Sequence, residues 1–183
     1  LFGPEYVASY DVVFKLFSII TIAHAILLSP LWSSYSDAYH RNDMKWIKKT
    51  IKNQLKIYLL IIVATILLSL LIKPIVSIWI GKDFIINNTL IVLIAFFVLV
   101  SCWNNIFSYF INATNKLFVL TILVIFLSII NIPLSIFLVK VFHFGIEGIV
   151  LGTIISLLFG SFLAPIQTYF LIYKKETKSI WLR

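Results

Sequence analysis

The side chains of this 183-residue chain best placed for chemistry are polar groups lodged in apolar stretches. Lys15 falls one helical turn after Asp11 on the same face, so the two can pair, and an ionisable group inside an apolar segment marks a functional position. Near the centre of a membrane helix a lysine costs about 2.5–3.5 kcal/mol, but one turn inside the boundary its amine can snorkel outward. Two readings stand open: a snorkelling pair with Asp11, or a cation lining a polar cavity that takes a phosphate-bearing substrate. Ser101, Asn104, Asn105, Ser108 and Asn112, with Tyr109 beside them, recur at helical spacing and lie mostly on one face. That stripe either hydrogen-bonds neighbouring helices or forms a polar wall contacting sugar hydroxyls. His24, between Ala23 and Ala25, reads as a hydrogen-bonded packing residue or, less simply, a proton carrier.

Catalytic chemistry has little support. The carboxylates Glu5, Asp11, Asp37, Asp43, Asp83, Glu147 and Glu176 fall mostly at expected helix ends and turns, where capping accounts for them. The sequence has no Gly-rich phosphate loop, nucleophile elbow or metal-binding His pair, so neither an enzyme nor a cofactor is expected. Cys102 is the single cysteine and cannot form an internal disulfide, and three scattered histidines lack zinc-site spacing.

The elements that must position these groups follow from composition. Hydrophobic residues make up 61% of the chain and charged residues 12%, with a mean hydropathy of +1.06. A soluble domain runs about 45–50% apolar and about 25% charged, so the solvent here is lipid. About 20 apolar residues span a hydrocarbon core of about 30 Å. Five segments qualify, with helices expected at about 5–32, 44–80 with a kink near Pro74, 86–111, 117–140 and 147–174. The fold class is an all-α membrane bundle in one partial domain, residues 1–183. Gly3-Pro4-Glu5 marks the first helix start, and Asn42 or Asp43 can cap the second.

Net charge is +8, and its placement sets an orientation. Arg41, Lys45, Lys48, Lys49, Lys52, Lys56, Lys116, Lys174, Lys175, Lys178 and Arg183 fall on one side, against Lys73, Lys82 and Lys140 on the other. The positive-inside rule then makes the C-terminus cytoplasmic and the N-terminus external. Trp32 and Trp46 near one boundary and Trp79 near the other fit interfacial anchoring. Lys45, Lys48, Lys49, Lys52 and Lys56 form a basic juxtamembrane stripe, with Trp46 and Leu55 as apolar partners, suited to anionic lipid rather than nucleic acid. Gly148, Gly152, Ser156, Gly160 and Ala164 put a small residue at every fourth position of the last helix, which lets a neighbouring backbone approach. Pro30, Pro133 and Pro165 can each kink a helix. With no initiator Met at Leu1 and no signal peptide, upstream membrane helices are expected to be missing and the isolated segment inactive.

Several stretches, taken in order, carry a family resemblance. They are Gly3-Pro4-Glu5-Tyr6-Val7-Ala8-Ser9-Tyr10, Lys15-Leu16-Phe17, Ser29-Pro30-Leu31-Trp32, Asp37-Ala38-Tyr39 and Asp43 through Lys49, followed by Ile111 through Lys116, Asn131 through Leu134 and Gly145 through Gly148. Together they resemble the C-terminal half of polysaccharide biosynthesis flippases of the multidrug/oligosaccharidyl-lipid/polysaccharide exporter superfamily. Ala113-Thr114 departs from the glycine-containing turn usual there. The resemblance implies the eighth to twelfth helices of a two-lobe, alternating-access exporter in the bacterial cytoplasmic (inner) membrane, whose N-terminal lobe is absent here. It implies a substrate of undecaprenyl-pyrophosphate-linked oligosaccharide, with Lys15 facing the pyrophosphate, Asn104 and Asn105 nearby, and Asp11 counted with them as a substrate-binding residue. A coupling ion is implied only by the superfamily. Two other readings are a cation-coupled small-molecule exporter of the same superfamily and a non-transporting assembly subunit that docks through the small-residue face.

Overall fold

The computed structural model describes residues 3–81, 84 and 86–173. Lys82, Asp83, Glu176 and the tail cations Lys174, Lys175, Lys178 and Arg183 lie outside them. The described residues are helical with short connections: α1 (Pro4–Leu28), α2 (Leu31–His40), α3 (Met44–Trp79), α4 (Asn88–Ala113), α5 (Phe118–Val141) and α6 (Glu147–Tyr173). Five spans are long and apolar enough to cross a bilayer, α1 and α2 forming one of them. This is an all-α membrane bundle.

α1 ends at Leu28, and helical backbone resumes at Leu31 and runs through His40. Pro30 lacks an amide hydrogen and crowds the carbonyl one turn back, so the hydrogen-bond ladder breaks there. Ser29 and Pro30 nevertheless keep right-handed helical angles, and Trp32 N–H bonds to the Ser29 carbonyl at 3.3 Å. Pro74, Pro133 and Pro165 stay inside continuous helices. Asn42 takes a left-handed conformation (φ 62°) in the tight turn before α3, while the Asp43 carboxylate caps α3 by accepting the Trp46 N–H at 3.0 Å. Asn115 (φ 56°) occupies the same region after α4. An asparagine tolerates that conformation, so the Ala113-Thr114 turn closes without glycine.

The α1–α2 span has 35 residues and α3 has 36, about 52 and 54 Å at 1.5 Å per residue. Each exceeds a hydrocarbon core of about 30 Å. The basic stripe is therefore the end of α3 itself, paired with α2 in a hairpin, rather than a separate helix lying on the membrane. Lys45, Lys48, Lys49, Lys52 and Lys56 are exposed, while Ile47, Ile51 and Gln54 face inward. Tyr35 stands edge-on to Phe110 (5.4 Å) and Trp46 (5.7 Å), and Tyr39 to Phe110 (6.2 Å), which fastens α2 to α3 and α4. Trp46 is thus a packing residue as well as a boundary residue. Lys48 Nζ sits 3.8 Å above the Tyr173 ring, tying α3 to the end of α6.

Central to the bundle is α4, which packs against α1, α2, α3 and α6. α5 stands apart, its main contact being with α6. Their closeness depends on small residues: a Cβ added at Gly148 would lie 3.2 Å from the Val139 amide nitrogen, and one at Gly152 would lie 3.1 Å from Ser135 Cα. Farther along the same contact, Asn131 Nδ2 donates to Ser156 Oγ at 3.2 Å.

Candidate functional site

The polar stripe of α4 divides by direction. Asn104 turns toward α6, where its Nδ2 donates to the Leu157 carbonyl (3.2 Å) and Ser161 Oγ (3.0 Å). Gly160 makes room for it, since a Cβ there would meet Asn104 Oδ1 at 3.3 Å. Trp103 Nε1 donates to the Ser161 carbonyl at 3.0 Å, reinforcing the clamp. Tyr109 leaves the stripe and packs edge-on against Trp32 (6.2 Å).

Asn105, Ser108 and Asn112 instead border a groove of about 460 Å³ between α4, α5 and α6. Their half-buried side chains make no hydrogen bond among the described residues. The opposite wall is α5, with Leu120, Leu123, Val124 and Leu127, and the floor is α6, with Ser156, Leu157, Gly160 and Ala164. Among the described residues no lysine, arginine or carboxylate lines it. Unpaired amides and hydroxyls in an apolar surrounding are costly, so this wall is matched to water or to a ligand that can hydrogen-bond.

Of the four residues selected from sequence, Asn104 and Asn105 reach this groove and Lys15 and Asp11 do not line it. Lys15 Nζ pairs with Asp11 Oδ2 at 2.6 Å on α1, with the side chains 65% and 52% exposed. α1 packs on α2, α3 and α4, whereas the groove is built by α4, α5 and α6. The pair predicted from its spacing therefore forms, apart from the asparagine face. Ser108 and Asn112 belong to the groove as fully as Asn105 does, and the three- or four-residue spacing carried that signal.

The chain is 29% identical over 152 residues to a Yersinia pseudotuberculosis protein named "Putative O-antigen export protein". It is a multi-pass membrane chain similar to that protein. The match covers 82% of this chain and 34% of the relative, so the chain spans about that third of the relative's length. No protein-family model and no solved structure matches the chain.

Two expectations need correction. His24 is buried (1% exposed) but is not hydrogen-bonded, since neither ring nitrogen has a partner among the described residues. The small-residue face of α6 is not a free docking surface: Gly148 and Gly152 are occupied by α5 and Gly160 by Asn104 of α4. The part of that face left open is the stretch of Ser156, Gly160 and Ala164 that floors the groove. Sequence reading also missed three tethers: Gln167 Nε2 to the Lys116 carbonyl (2.8 Å), Asn87 Nδ2 to Glu147 Oε1 (2.9 Å) and Tyr58 Oη to the Leu99 carbonyl (3.0 Å). For Gln167, a lone amide inside apolar α6, that composition was the available sign.

Proposed function

We propose that this chain is part of a membrane flippase that moves lipid-linked oligosaccharide, carried on undecaprenyl pyrophosphate, across the bacterial cytoplasmic membrane by alternating access. The observation that carries the reading is the groove whose α4 wall holds unpaired Asn105, Ser108 and Asn112. Similarity to the O-antigen export protein points the same way. Hydroxyl-rich glycans are partners for such a wall, and the seven-residue step from Asn105 to Asn112 spreads its donors over about 10 Å. In this reading the sugar chain follows the polar wall, the Lys15 and Asp11 pair meets the pyrophosphate, and the Lys45–Lys56 stripe holds the cytoplasmic end against anionic lipid. An N-terminal lobe of the same protein closes the path, and no bond of the substrate is made or broken.

The test is complementation of a strain lacking the full-length protein. Asn105→Leu with Asn112→Leu should cut surface polysaccharide at least fivefold at unchanged protein abundance and membrane insertion. Unchanged polysaccharide would remove the groove from the path. Increased drug sensitivity with normal surface glycan would instead support the small-molecule exporter.

A further inference from the structure

We infer that the groove between α4, α5 and α6 is a lateral binding site for the uncharged, hydroxyl-bearing part of an amphiphile and selects against a charged headgroup. The inference deepens the flippase reading and rests on it. Three features of the groove lead to it.

The first is asymmetry. One wall carries Asn105, Ser108 and Asn112, and the facing wall carries Leu120, Leu123, Val124 and Leu127 with a single hydroxyl, Thr121. A wholly apolar ligand would leave the amides and hydroxyl unpaired, and a wholly polar one would be set against leucine. A molecule with an alkyl or polyprenyl chain on one side and hydroxyls on the other satisfies both.

The second is charge. Among the described residues no ionisable side chain lines the groove, so a phosphate seated there would have no counter-charge from them in a low-dielectric surrounding. Amide and hydroxyl groups offer both donors and acceptors, matching the mixed character of sugar hydroxyls. The groove thus fits the glycan and chain portions of a lipid-linked sugar and leaves its phosphates for another surface.

The third is access. Val124 and Ile125 line the groove while 58% and 57% exposed, continuous with Ile122, Phe126 and Ile129 on the outer face of α5. That face is apolar and exposed among the described residues, so the groove opens on the flank of the bundle, where an apolar surface is suited to lipid. α5 is held mainly by α6, leaving the α4 edge as the entrance.

The experiment uses the full-length protein in lipid nanodiscs, with Thr121→Cys on the α5 wall as the sole cysteine. Alkylation by N-ethylmaleimide is followed with dodecyl maltoside or dodecyl phosphate at equal mole fraction. The maltoside should slow labelling at least fivefold and the phosphate less than twofold. Asn105→Leu with Asn112→Leu should abolish the maltoside effect, and the smaller change Ser108→Ala should weaken it two- to threefold. Equal protection by both amphiphiles would mean a plain alkyl groove and overturn the inference, as would protection that survives these variants or the absence of protection by the maltoside. Surface polysaccharide in the complementation assay reads separately: loss of export without headgroup selectivity would defeat this inference and leave the flippase proposal standing.

Discussion

The contact between α5 and α6 at Gly152 gives a sharp test of how this bundle is held together. A methyl group at Gly152 would meet Ser135 Cα at 3.1 Å and its Cβ at 3.2 Å, and a backbone atom cannot rotate out of the way. At Gly160 the added methyl meets the Asn104 side-chain oxygen at 3.3 Å, which can yield by a small torsion. Both changes carry the same gain in helix propensity, about 1 kcal/mol for Gly to Ala, so that term cancels in a comparison. What remains is the cost of forcing packed elements apart, about 1–3 kcal/mol. Gly152→Ala should therefore be less stable than Gly160→Ala by that amount. The measurement is reversible unfolding in mixed micelles on titration with dodecyl sulfate, followed by tryptophan fluorescence. Adding Ser135→Gly to Gly152→Ala should recover about half of the loss, because it removes the Cβ and hydroxyl but keeps Cα. Equal stability of the two alanine variants, or no recovery with Ser135→Gly, would refute the idea that backbone proximity at Gly152 fixes α5.

Other expectations follow from the same geometry. His24 buries both ring nitrogens without partners, so His24→Leu should raise stability by about 1–3 kcal/mol in the same titration; a loss would mean the imidazole is paired in the membrane. The Lys15–Asp11 pair is exposed and adds at most about 1 kcal/mol, so Lys15→Ala should leave abundance and insertion normal while lowering surface polysaccharide in full-length protein. Normal polysaccharide would exclude Lys15 from the mechanism. Single cysteines at Lys140 and Lys116 in a Cys102→Ala background test topology: an impermeant reagent on intact cells should label Lys140→Cys alone, and the reverse pattern would invert the bundle. Neutralising Lys45, Lys49 and Lys52 to Gln should weaken binding of anionic over zwitterionic lipid several-fold, as read by lipids retained in native mass spectrometry; unchanged preference would leave the stripe a solvated face.

Sequence alone determined the solvent, the number of spans and which polar residues share a face. Uninterrupted apolar length is a local property, and lipid enforces it because helix backbones must satisfy their own hydrogen bonds there. The Asp11–Lys15 pair was legible for the same reason, since a separation of four residues fixes proximity on any helix. The stripe from Asn104 to Asn112 was legible as a face. Its division was not: whether Asn104 clamps α6 while Asn105 faces a groove depends on a helix more than 50 residues downstream in a bond such as Asn104 to Leu157 (separation 53). Where the helix past Pro30 docks depended on Tyr35 and Tyr39 finding Phe110, and the use of the small-residue stripe depended on which helices came to lie beside α6. Helical periodicity says which residues share a face. Only tertiary packing decides what that face meets, because the partners of a membrane helix are chosen by shape and hydrogen bonding between surfaces almost equally apolar.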